Sequence, residues 1–194
     1  VWRLYDGQLL RTLTGHGFRV RSVAIAPDGQ TIISGSDDGT IKIWALSNGQ
    51  LLRTIPGHTL FGQVVEVYSV AVTPDGQGIV SGASDGTSTV SRLSDGQFLR
   101  ALNGHTGSVV SVAVTPDGQT IVSGSTDKTI TVWRLSDGAL LRTLAGHTGV
   151  VRGVAISPDG RAIFSGSTDK TIKVWGLREG ALVSTFTGHT GDVM

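Results

Sequence analysis

The chain has 194 residues and 28 glycines, roughly twice ordinary usage, while only 16 % of its residues are charged. Its 16 basic and 15 acidic side chains leave a formal net charge of +1, so charge gives no reason to expect nucleic acid or an anionic membrane as partner. Two glutamates and one methionine exclude a helical bundle or coiled coil, and the lack of cysteine excludes disulfides and thiolate chemistry.

The 22 valines, 12 isoleucines and 22 threonines favour strands, and 39 % hydrophobic residues are enough for a core. No apolar run approaches the ~18–20 residues of a membrane helix. No signal-peptide pattern opens the chain, and a cytoplasmic location is the expectation. No His/Asp/Glu group shows metal-ligand spacing, so neither metal nor cofactor is expected.

In chain order, Val1 to Leu13 reads as the end of one strand followed by another, with Trp2 as its first marker. The dipeptide Gly-His then recurs at His16, His58, His105, His147 and His189, spaced by 42 residues except for one interval of 47. Pro-Asp-Gly recurs at Pro27, Pro74, Pro116 and Pro158, and an aspartate follows each at Asp38, Asp85, Asp127 and Asp169. The last marker is Trp44, Ser91, Trp133 and Trp175.

Each repeat reads as four short strands. In the third, Ser108 to Thr115, Thr120 to Ser125, Thr129 to Leu135 and Ala139 to Leu144 are separated by turns built on Pro-Asp-Gly, Thr-Asp-Lys and Asp-Gly. Four antiparallel strands per repeat, apolar on both faces, predict an all-β propeller. The predicted blades are 16–55, 58–102, 105–144 and 147–186, with a partial blade over 1–13 and the start of another over 188–194. A start at Val1 inside a strand pattern suggests a piece of a larger ring. Open blade ends would then invite self-association.

The spaced Gly-His, Pro-Asp-Gly, Ser-Gly-Ser-x-Asp and Trp markers resemble the WD-repeat β-propeller family across the whole chain, and their regularity resembles its bacterial members. The Asp that follows Trp in that family is absent, replaced by Arg3, Ala45, Arg92, Arg134 and Gly176. The resemblance implies a buried hydrogen-bonded set in each blade. The sets are His16, Ser34, Asp38 and Trp44; His105, Ser123, Asp127 and Trp133; and His147, Ser165, Asp169 and Trp175. Ser36, Ser125 and Ser167 are the alternative serines. A carboxylate accepting from an imidazole is worth about 1.5–3 kcal/mol. Ser, His and Asp repeated in this way point to scaffold rather than to catalysis, since an enzyme needs one site.

Blade two keeps His58, Ser81 and Asp85 but carries Ser91 for tryptophan, a loss of roughly 3–5 kcal/mol unless Phe98 or Tyr68 refills the space. Asp28, Asp75, Asp117 and Asp159 read as turn formers rather than calcium ligands. Arg11, Arg53, Arg100 and Arg142 recur in the fourth strand, where edge charges deter sheet-to-sheet aggregation.

Function is sought where the repeat breaks. Blade two carries a five-residue insertion after His58, with Leu60 and Phe61 as a plug or an exposed anchor. Phe18, Arg19, Arg21, Tyr68 and Arg152 vary on the face that carries the Gly-His loops, which the family uses for partners. A non-enzymatic scaffold or sensor module binding a protein or peptide there is the leading reading. A glycan- or small-ligand-binding propeller is the alternative.

Overall fold

The computed structural model describes residues 1–57, 59–60 and 63–193, with backbone only at 59, 60 and 63. His58 and Phe61 therefore lie outside the described residues. The described chain forms four four-stranded antiparallel sheets and one small hairpin, and contains no helix.

The first sheet is β1 (Val20–Ile25), β2 (Thr31–Ser36), β3 (Thr40–Ala45) and β4 (Leu51–Pro56), in sequence order. The insertion follows as a hairpin of β5 (Thr59–Leu60) and β6 (Gln63–Val64). The second sheet holds β7 (Val67–Val72), β8 (Gly78–Ala83), β9 (Thr87–Arg92) and β10 (Phe98–Asn103). The third holds β11 (Val109–Val114), β12 (Thr120–Ser125), β13 (Ile130–Arg134) and β14 (Leu140–Leu144). The fourth holds β15 (Val151–Ile156), β16 (Ala162–Ser167), β17 (Ile172–Gly176) and β18 (Leu182–Phe186).

Val1 to Leu13 forms an isolated bridge, Trp2 to Leu9, around a turn, in the same register as Trp44 to Leu51 and Trp133 to Leu140. Trp2, Leu4 and Tyr5 are exposed.

The sheets stack side by side as propeller blades, first strand beside first strand from β1 to β7 to β11 to β15. Each junction encloses its own apolar cluster; Val80, Val90 and Leu102 of blade two, for example, meet Val109, Ile121 and Trp133 of blade three. The joint has a knob and a socket. Val67, Val109 and Val151, all fully buried, open the first strands of blades two to four. Each presses on the glycine of the preceding Ser-Gly-Ser, or Ser-Gly-Ala in blade two: a Cβ at Gly35, Gly82 or Gly124 would come within 2.7, 2.6 or 2.8 Å of that valine. Glycine is required there by close approach.

A bulge recurs at the same point of every first strand, as at Val20/Ser22 and Val67/Ser69. Its serine bonds the next blade: Ser22, Ser69 and Ser111 Oγ accept the N–H of Val70, Val112 and Val154, each at 3.1 Å. The fourth-strand arginines have a comparable role. Arg11, Arg100 and Arg142 donate to the carbonyls of Leu46, Leu135 and Leu177 in the following blade, and Arg53 reaches Ser94 O at 3.2 Å. These cations tie blades together, an assignment the repeat pattern alone did not suggest.

Candidate functional site

The marker residues meet because consecutive hairpins place them at one end of each blade. In blade one, the loop before β1 supplies His16, β2 supplies Ser34, the β2–β3 turn supplies Asp38 and β3 supplies Trp44. His16 Nδ1 lies 2.8 Å from Asp38 Oδ2, His16 Nε2 lies 2.7 Å from Ser34 Oγ, and Trp44 Nε1 donates to the same Oγ at 2.8 Å. In blade three, His105 is 2.8 Å from Asp127 and 2.9 Å from Ser123, which takes the Trp133 N–H at 3.0 Å. In blade four, His147 is 2.7 Å from both Asp169 and Ser165, with Trp175 at 2.9 Å.

The second serine of each Ser-Gly-Ser has a different task. Ser36, Ser125 and Ser167 Oγ accept the aspartate N–H at 3.1, 3.0 and 3.1 Å and close the turn. Sequence reading missed the threonines. Thr40, Thr129 and Thr171 donate their hydroxyls to the aspartate Oδ1 at 2.7, 2.7 and 2.6 Å. Their constant place two residues after each aspartate was the available signal.

The electrostatics follow from that donor set. Burial alone pushes the Asp38 carboxyl up, but bonds from Thr40, the Gly17 N–H and His16 outweigh it and hold the group far below the usual carboxylate range. Asp169 behaves in the same way with Thr171, His147 and Thr148, and Asp127 is lowered by the equivalent bonds. Each carboxylate is consumed by four or so internal donors, and each histidine is almost wholly buried. The trio cannot swing a proton to an outside substrate without breaking these bonds. Among the described residues no group of three His, Asp or Glu could hold a metal. Asp28, Asp75, Asp117 and Asp159 each accept a backbone N–H two residues on.

Blade two lacks the indole. Tyr68 does not refill the space: it lies beneath Arg21, whose guanidinium carbon is 5.3 Å from the ring centre. Phe98 pairs with Ser91 in register but is 59 % exposed at the rim. An open cleft of about 490 Å³ remains between blades one and two.

On the face bearing the Gly-His loops, Phe18 is 72 % exposed, and Arg19 and Arg152 are exposed. Arg21 Nε donates to Asp37 Oδ1 at 2.7 Å, a bond that raises its pKa. Tyr68 donates to Glu66 at 3.4 Å, and burial, with Glu66, pushes its phenol up. Arg21, Asp37, Tyr68 and Glu66 thus form one surface network across blades one and two. Leu60 lies in the insertion hairpin, paired with Gln63. Arg92 and Arg134, which stand where the resembling family has aspartate, pair with Asp95 and Asp137 at 2.7 Å in exposed turns, contacts of small energetic weight.

Repeated four-stranded blades locked by buried His-Asp-Ser-Trp sets define a β-propeller repeat protein. The model described as WD domain, G-beta repeat matches residues 7–45, 49–89, 96–134 and 138–176, and the chain belongs to that family. Each match runs from the fourth strand of one blade to the third strand of the next, so the sequence repeat and the structural blade are offset.

Similar proteins share single repeats. The chain is 52 % identical over 42 residues to the B-type cell cycle switch protein ccs52A of Medicago truncatula, covering 22 % of this chain and 9 % of that protein. It is 64 % identical over 33 residues to the vegetative incompatibility protein HET-E-1 of Podospora anserina, 17 % of this chain and 2 % of that one. It is 44 % identical over 43 residues to the guanine nucleotide-binding protein subunit beta of Saccharomyces cerevisiae, 22 % and 10 % respectively. The matched stretch is a tenth or less of each relative's length. No helix among the described residues is long and apolar enough to cross a membrane.

Proposed function

We propose that this chain is a non-enzymatic interaction scaffold that binds a protein or peptide on the face carrying the Gly-His loops. The observation that carries the reading is the fate of its reactive side chains. Ser, His and Asp recur in register and spend their hydrogen bonds inside the blades, so they act as blade scaffold, while an uneven set of exposed groups decorates one face. That set is Phe18, Arg19, the Arg21–Tyr68 network and Arg152, a mixture of aromatic and arginine residues suited to protein contacts. Membership of the WD domain, G-beta repeat family, and likeness to a protein named as a subunit, support the same reading. Glycan stacking finds less support, because Trp44, Trp133 and Trp175 are buried.

The test is selection of peptides from a displayed library on the wild-type chain, followed by binding to a Phe18→Ala, Arg21→Ala, Arg152→Ala triple variant. Weakening by tenfold or more fits the assignment; unchanged affinity removes it.

The blade edges carry a second part of the proposal. Val20, Val23 and Ile25 are 49–66 % exposed on blade one, whereas the matching Val67 and Val70 of blade two are buried. At the other edge, Val193 sits against Gly166 as Val151 sits against Gly124, which supports reading the residues after His189 as the first strand of a further blade. Such apolar edges pack against another blade, and the isolated chain self-associates through them. A monomer in sedimentation at every concentration tried would exclude this.

A further inference from the structure

We propose that the cleft between blades one and two is a binding site for a planar two-ring aromatic of the indole type carrying one N–H donor. Three observations support it. First, the space has a known tenant elsewhere in the molecule. Trp44, Trp133 and Trp175 fill the corresponding positions of the other blades at 2–3 % exposure, Trp133 packing on Leu102 and Trp175 on Leu144 of the preceding blade. In blade two the residue is Ser91, and the wall that Leu102 and Leu144 provide is Ile55.

Second, the cleft is open and of ligand size. Its volume is about 490 Å³, within the ~300–1,000 Å³ typical of small-molecule sites. Its walls are Ile41 and Ile55 of blade one, with Asp85, Thr89, Ser91 and Phe98 of blade two opposite. Neither candidate for refilling it, Phe98 or Tyr68, does so.

Third, the hydrogen-bonding end is kept although the indole is gone. Ser34, Ser123 and Ser165 each take an indole N–H at 2.8–3.0 Å. Ser81 holds the same register in β8 and lies 2.8 Å from the Thr89 hydroxyl on the cleft floor. A hydroxyl can serve several partners at once. In blade three Ser123 Oγ lies within 3.0 Å of His105, Thr131 and Trp133 together. An entering N–H directed at the Ser81–Thr89 pair would add to the partners these hydroxyls already have, as the Trp133 N–H does at Ser123.

The ligand is identified by shape and by its single donor. An apolar ring without N–H would leave the hydroxyls dry, while an anionic one would meet Asp85 and bury its charge against Ile41 and Ile55.

The test uses indole and 1-methylindole with the whole chain carrying labelled isoleucine methyls. Indole is expected to shift the Ile41 and Ile55 signals, leave Ile163 at the third junction unmoved, and raise the thermal midpoint. Methylating the nitrogen should weaken binding roughly fivefold, the value of one neutral hydrogen bond. Ser91→Trp should abolish binding. If that variant fails to fold, the wild-type methyl shifts decide alone. Silent Ile41 and Ile55 signals overturn the proposal, whether the cleft is closed by the chain's own insertion or simply does not bind. Shifts spread equally to Ile163, equal affinity for 1-methylindole, or undiminished binding by a folded Ser91→Trp chain overturn it too.

Discussion

Replacing Gly124 with alanine tests how the blades are joined. A Cβ at Gly124 would stand 2.8 Å from Val151 Cγ1 and 3.0 Å from Val154 Cγ1, distances below normal carbon contact. Val151 is fully buried and cannot step aside into solvent, while Val154 is only partly buried. Overpacking of this kind costs about 1–3 kcal/mol, against less than ~1 kcal/mol gained from the lower entropy of the unfolded alanine chain. The net expectation is a loss of about 1–2 kcal/mol. Truncating the knob instead, Val151→Ala, removes two buried methyl-sized groups and costs about 2 kcal/mol. Knob and socket touch, so the double variant should lose less than the sum of the two, by at least ~0.5 kcal/mol. Urea unfolding followed by tryptophan fluorescence gives the four stabilities, provided the slope with urea is unchanged. Gly191, which has nothing within 4 Å of its would-be Cβ, serves as the neutral control. Strict additivity, or a Gly124→Ala chain as stable as wild type, would refute the knob-and-socket account.

Other consequences are open to direct measurement. Asp38 and Asp169 are held below their ordinary value of 3.8, so the native state binds fewer protons than the unfolded chain in acid. The stability they contribute is complete above that value and is lost as pH falls through it toward the native pKa. Asp169→Asn should flatten the fall in urea midpoint below about pH 4, and curves parallel to wild type would contradict the assignment. Ser88 Oγ is buried without a hydrogen-bond partner among the described residues, at a position where the other blades have Ile41, Ile130 and Ile172. Ser88→Ala should therefore be neutral or stabilising by about 1 kcal/mol in thermal unfolding, and a clear loss would show that the hydroxyl has a use. Lys128 and Lys170 adopt φ of 73° and 68°, the left-handed turn that Gly39 and Gly86 occupy in blades one and two. Lys128→Gly should raise stability by about 1 kcal/mol. A lower midpoint would mean that the lysine side chain contributes more than its backbone strain costs.

Much of the blade was legible because its signals are local. Period-two apolar runs, Asp-Gly turns and markers in constant register determine which residues form strands and which pairs hairpin together, and β11 to β14 fall within a residue of the sequence reading. The partners of His16, His105 and His147 were legible through the resemblance to the WD-repeat family, and the hairpin registers then bring the serine, turn aspartate and tryptophan of each set to one end of the blade. Other features were decided only between blades. The arginines of the fourth strand could be read as edge charges from sequence, and only the distance to the next blade's carbonyls assigns them as ties.

The same division explains blade two. Composition and register already showed that Ser91 stands where an indole belongs, and that Phe98 or Tyr68 could fill the gap. Whether they do depends on which way two side chains turn in space. Tyr68 turns to Arg21 and Phe98 stays at the rim. Sequence thus determined the repeat and the blades, which follow from short-range periodicity and register, and the buried sets through resemblance to a known family. Tertiary structure decided the sockets at Gly35, Gly82 and Gly124, the arginine ties and the vacant indole position, because each depends on distances between residues that only the stacking of sheets brings together.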